Sequence, residues 1–93
     1  MATTVEAHHA STMTVEALLG RRVRYQKHKP GKSLSVERVP AGFFQIESIH
    51  RFGNRIVVND GMIVMETAPT VMERRGRIAL LFPTGEELYF YYV

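Results

Sequence analysis

Asp60-Gly61 lies between two runs rich in β-formers, Arg55-Ile56-Val57-Val58-Asn59 and Met62-Ile63-Val64-Met65-Glu66. No other feature constrains the fold as tightly. A two-residue type I′ turn needs positive φ at both central residues, and Asp-Gly is a pair that accepts it, so the dipeptide predicts a β-hairpin. Comparable breakers punctuate the rest of the chain: Lys29-Pro30-Gly31-Lys32, Pro40-Ala41-Gly42, Phe52-Gly53-Asn54 and Pro83-Thr84-Gly85. Proline presets one turn dihedral and glycine accepts the positive φ of another.

The runs between these breakers read as short strands. Arg22 to Gln26 alternates, with Val23 and Tyr25 on one face and Arg22, Arg24 and Gln26 on the other. Ser33 to Arg38 reads as a short return strand. In Phe43 to His50, Phe44 and Ile46 share one face while Phe43 and Ile49 share the opposite one, which predicts a bulge or burial on both sides. Ile78 to Phe82 and Leu88 to Val93 form a last hairpin. Ile78, Leu80 and Phe82 line the inner face of its first arm, and Leu88, Phe90 and Tyr92 that of its second. Thr67 to Gly76 reads as a loop. Thr14 to Gly20 reads as one helical turn, capped by Thr14 and ended by Gly20, with Leu18 and Leu19 plugging the core.

These elements predict an all-β fold: six or seven short strands, about 8–12 residues apart, in an antiparallel meander closing into a small barrel. Residues 1–13 are expected to be a mobile arm and residues 14–93 a single domain. The pattern of a basic first strand, a long turn and short strands with glycine-rich turns is similar to the broad class of SH3-like barrels. The absence of a long amphipathic run excludes helix-turn-helix, coiled-coil and Rossmann folds.

With 93 residues there is room for one small core. No apolar run approaches the ~20 residues of a membrane helix, so no membrane association is expected. There is no cysteine, which removes disulfides and thiolate metal sites and fits a reducing cytoplasm.

The functional signal is charge. Arg21, Arg22, Arg24, Lys27, Lys29 and Lys32 fall within twelve residues that hold no acid. The whole chain has a net charge of only +3, so the remainder is slightly acidic. In the strand reading Arg22, Arg24 and Gln26 point away from the core, and Lys27, Lys29 and Lys32 crown the adjoining turn. Such a display suits a phosphate backbone, where each neutralised phosphate releases counterions. Arg74, Arg75 and Arg77 form a second cluster that would extend the surface if it lay on the same side. Tyr89 and Tyr91, facing outward between Leu88, Phe90 and Tyr92, would supply stacking platforms for unpaired bases. The expected function is therefore a nucleic-acid-binding module for DNA or RNA.

The alternative is a protein-interaction module or small inhibitor, of the kind phages and mobile elements encode, recognising an acidic protein partner. Here the C-terminal strand acts as an exposed edge, and homodimerisation through it is expected. Catalysis is not expected. Asp60 is the sole Asp and its turn explains it. Ser33, Ser35 and Ser48 lack a nucleophile elbow, and His28 and His50 lack partners at metal-ligand spacing. His8-His9 reads as part of a solvated tail. No cofactor or metal is expected.

Overall fold

The computed structural model describes residues 11–29 and 31–92. The chain is mostly strand with almost no helix. Its strands are β1 (Ser11–Met13), β2 (Arg22–Lys29), β3 (Leu34–Val36), β4 (Phe43–Gln45), β5 (Ile49–Phe52), β6 (Arg55–Val58), β7 (Ile63–Met65), β8 (Thr70–Arg74), β9 (Arg77–Leu81) and β10 (Glu87–Tyr92). They form two antiparallel sheets, one of six strands in the order β1-β8-β9-β10-β2-β4 and one of four in the order β3-β7-β6-β5. A 3₁₀ turn at Val15–Leu18 joins β1 to β2.

Period-2 alternation explains the core. Val23, Phe44, Val71, Ile78, Leu80, Leu88 and Phe90 from the larger sheet meet Leu34, Ile56, Val58, Ile63 and Met65 from the smaller. Each such side chain, fully buried, contributes about 1.5–3 kcal/mol of transfer free energy. Phe44 and Phe90 meet edge to face at 6.1 Å. Leu18 plugs one end as expected, but Leu19 is 55% exposed. Leu19 follows the last residue of the 3₁₀ turn, where the chain swings out toward Gly20.

Several sequence expectations are corrected. The described residues hold ten strands, for three reasons. Ser11–Met13, assigned to the arm, pairs with β8. The arm's first ten residues and the His8-His9 pair lie outside the described residues. The 43–50 run splits at Ile46, and its halves join different sheets, which accounts for its mixed facing. Finally, the 67–76 segment is largely strand: Thr70–Arg74 alternates, Val71 is fully buried, and Arg75-Gly76 makes a two-residue turn with φ of 50° and 81°.

The topology is not a simple meander either. β3 pairs with β7 and does not return along β2. Backbone groups at Ser33 that could extend a β2 ladder are used elsewhere. Its N–H donates to Glu86 Oε2 at 2.8 Å, and its carbonyl accepts from the Glu66 N–H at 2.8 Å. Pro30, within the turn expected there, lies outside the described residues.

The β6–β7 hairpin exists but its turn is longer than Asp60-Gly61. Val58 lies opposite Ile63, leaving a four-residue loop in which Asn59, Asp60 and Gly61 all have positive φ (49°, 55° and 107°).

Candidate functional site

The larger sheet buries one face against the smaller sheet and leaves the other open. Which side chains occupy the open face depends on one irregularity. In β2, Phe90 pairs with Tyr25 but Tyr89 pairs with Lys27, so Gln26 is an extra residue: a β-bulge. Without it, alternation would send Arg22, Arg24 and Gln26 outward and Lys27 and Lys29 toward the core. With it, parity flips after Tyr25. Lys27 lies beside Tyr89 and Lys29 beside Glu87, on the same face as Arg24 beside Tyr91. The bulge therefore aligns four cations along one strand. The expectation that Gln26 faces out and the lysines merely crown a turn is corrected: β2 runs to Lys29, Gln26 is half-buried, and its Oε1 is buried without a partner.

The neighbouring strands complete the face. β10 contributes Glu87, Tyr89 and Tyr91; β9 contributes Arg77, Ala79 and Leu81; β8 contributes Thr70, Met72 and Arg74. Phe43 and Gln45 of β4 lie opposite Arg24 and Arg22. Arg75 stands at the turn joining β8 to β9. The face thus gathers Arg22, Arg24, Lys27, Lys29, Arg74, Arg75 and Arg77. Among its described strand residues Glu87 is the one acid, and its carboxylate accepts from the Tyr89 hydroxyl at 2.9 Å. That bond, then burial and the charge of Glu87, push the Tyr89 phenol above its ordinary pKa.

The two tyrosines differ. Tyr89 is half-buried, with the Arg77 guanidinium 4.6 Å and the Lys27 ammonium 5.5 Å from its ring centroid. Tyr91 is 40% exposed and has the Arg24 guanidinium at 5.9 Å. Beside them an open depression of about 570 Å³ is lined by Met72, Arg74, Arg75, Arg77, Ala79 and both tyrosines.

Electrostatics sets this face apart. The ion pairs among the described residues are Arg21–Glu73, Arg51–Glu16 and Arg55–Glu66, and none uses a cation of the face. Arg74 sits directly opposite Arg77. Like charges facing each other across a ladder are destabilising, so stability does not account for the arrangement.

Two of the sequence-predicted residues go elsewhere. Arg21 forms a fork-to-fork pair with Glu73, at 3.2 Å for each bond, and lies 4.7 Å from the Tyr92 ring. The pair holds the Glu73 carboxyl below its ordinary pKa. Lys32 is exposed in the turn after β2, beside Glu86 and Thr84. Sequence reasoning missed Phe43, Met72 and Ala79 on this face. The alternation in Thr70-Val71-Met72-Glu73-Arg74 was the signal for Met72.

The expected C-terminal edge is also corrected. β10 is hydrogen-bonded to β9 on one side and β2 on the other, so its backbone is fully paired. Among the described residues the edge strands are β1 and β4 of the larger sheet and β3 and β5 of the smaller. Among the described residues, no group of three or more His, Asp or Glu is placed to hold a metal ion, and no helix is long and apolar enough to cross a membrane.

Compared with known protein families, curated proteins and solved structures, the chain gives no match.

Proposed function

We propose that this chain is a nucleic-acid-binding β module that grips phosphates with the open face of its six-stranded sheet. The observation that carries the reading is the alignment of seven cations on one face, free of ion pairs among the described residues and interleaved with two tyrosines. A solubilising surface needs only interspersed charges of both signs. A face that sets arginine opposite arginine lowers its energy by meeting a polyanion. The reading assigns binding and no catalysis, cofactor or metal, and it suits a cytoplasmic setting.

The test is fluorescence anisotropy of labelled DNA and RNA oligonucleotides over a salt series. Log affinity should fall linearly with log salt, by about 0.7 per single-strand phosphate or 0.9 per duplex phosphate neutralised. With four to six cations engaged, the slope should be about −3 to −5. Reversing Arg22, Arg24 and Lys27 to glutamate should abolish binding and leave the fold intact, since all three are exposed. No shift at low salt with micromolar protein overturns the reading.

A second reading, a protein-interaction module or small inhibitor, is favoured by a different observation. Among the described residues β5 pairs only with β6, and Phe52 at its end is 64% exposed. A free edge with an exposed aromatic suits β-strand addition. Light scattering and a pull-down test it. The SH3-like barrel belongs to the same proposal. The crossovers at residues 37–42 and 46–48 carry the chain between sheets, as the corners of a small barrel do.

A further inference from the structure

We infer that the face takes single-stranded nucleic acid, with an unpaired base stacked on Tyr91 over the depression that Met72 and Ala79 floor; this rests on the phosphate-gripping reading above. The argument begins with the unequal tyrosines. Tyr89 has Arg77 and Lys27 over its ring and its hydroxyl tied to Glu87. Its role is to position those two cations. Tyr91 is the exposed ring of the pair, with Arg24 further off at 5.9 Å. It borders a depression of about 570 Å³, a size that admits a base.

The floor fits a base as well as the wall does. Ala79 lies directly between Tyr89 and Met72 across the ladders, so a small apolar residue leaves room above an apolar surface. The cations stand around this spot. Arg24 flanks Tyr91 from β2, Arg77 from β9, and Arg74 and Arg75 close the far side. Neighbouring strands are about 4.8 Å apart, so these groups stand within one or two strand spacings of a base on Tyr91. A guanidinium at that distance can bind the phosphate of the stacked nucleotide, or offer its own plane to the next base.

A duplex cannot use this arrangement. Its bases are stacked on one another and show only their edges in the grooves, so no base face is free for the Tyr91 ring. The cations alone would then account for binding, and Tyr91 would be idle. A single strand presents free base faces, and aromatic stacking is worth about 1–3 kcal/mol per base.

The experiment compares a labelled single-stranded DNA, a single-stranded RNA and a duplex of equal length, at fixed low salt, against four proteins. These are the natural chain, Tyr91→Phe, Tyr91→Leu and a Lys27→Gln/Arg77→Gln double variant. The natural chain should prefer the single strands. Tyr91→Leu keeps apolar bulk and removes the π face. It should lose about 5- to 150-fold in single-strand affinity, the equivalent of one stack, and change duplex affinity little. Tyr91→Phe should bind like the natural chain. The double variant should weaken single strand and duplex alike. Equal binding of duplex and single strand, with Tyr91→Leu unchanged and the double variant weakened, overturns the stacking inference and leaves the phosphate reading standing. No binding by any oligonucleotide overturns both. Circular dichroism on each variant confirms that the exposed position has been changed without loss of fold.

Discussion

Asn59 provides the sharpest test of how this fold is held. Its Oδ1 accepts from the N–H groups of Glu47 at 2.7 Å and Ser48 at 3.2 Å, and its Nδ2 donates to the Gln45 carbonyl at 3.0 Å. Its own N–H donates to the Ser48 carbonyl at 2.9 Å. One side chain thus secures the segment where the chain leaves the six-stranded sheet for the four-stranded one. It does so from a left-handed backbone conformation, φ 49°. Asn59→Ala removes these three side-chain bonds and a weak fourth, from Nδ2 to Met62 Sδ at 4.0 Å, and places Ala at positive φ. The bonds lie at the surface, where water replaces part of each, so together they are worth about 1–2 kcal/mol. The left-handed conformation adds about 1 kcal/mol for a residue without a side chain able to bond locally. The expected loss is about 2–3 kcal/mol, or roughly 10–20 °C in Tm for a domain of this size. Asn59→Asp keeps the acceptor and tolerates positive φ, but it loses the Nδ2 bonds to Gln45 and Met62 and turns a carboxylate oxygen toward the Gln45 carbonyl, so about 1–1.5 kcal/mol is expected. Urea unfolding followed by circular dichroism, with an unchanged m-value, measures both. The reasoning is refuted if Asn59→Ala lies within 0.5 kcal/mol of the natural chain, or if Asn59→Asp costs as much as Asn59→Ala.

Further outcomes are expected. Glu16, Glu73 and Glu86 each have a carboxyl held below its ordinary value of 4.5, by Arg51, Arg21 and the Thr84 hydroxyl respectively. A folded pKa below the unfolded one adds stability that is complete above about pH 5 and lost as pH falls through 4.5 toward the folded value. The urea midpoint should therefore be flat from about pH 5 to 8 and drop below that, and Glu73→Gln should shallow the drop; a midpoint indifferent to acid contradicts this. A Cβ on Gly31 would overlap Glu86 Oε2 and Cγ, so Gly31→Ala must displace the carboxylate from Ser33. Gly31→Ala and Glu86→Ala should each lower Tm, and the double variant should fall no further than the worse single one. Full additivity in that thermal cycle would show that the two residues act separately. Neutralising Lys27 and Arg77 together should shallow the single-strand salt slope by about 1.4; an unchanged slope removes them from the phosphate contacts.

How much of this was legible in the sequence varies with the range of the interaction. The inward residues of β2, β9 and β10, the acidic and glycine-bearing turns and the isolated basic stretch could all be read, because alternation and turn chemistry act over a few residues. β8 could have been read from its alternation, but Pro69 and the arginines around Gly76 gave the segment the look of a loop. The candidate site was half legible. Its residue types were visible, but their common facing was not.

What the sequence determined by itself is the β class, the positions of most strands, and a surplus of positive charge between Arg21 and Lys32. Those properties reside in local backbone preferences and in composition. The tertiary structure decided the rest. It split the 43–50 run between two sheets, seated β10 between β2 and β9, drew Arg21 away to Glu73, and placed a bulge at Gln26. The bulge matters most, because one inserted residue reverses the facing of everything beyond it. Its position depends on the register between β2 and β10, strands separated by some two thirds of the chain. No local rule contains that register, yet it brings Lys27 and Lys29 to the side of Arg24, Tyr89 and Tyr91 and so creates the candidate surface.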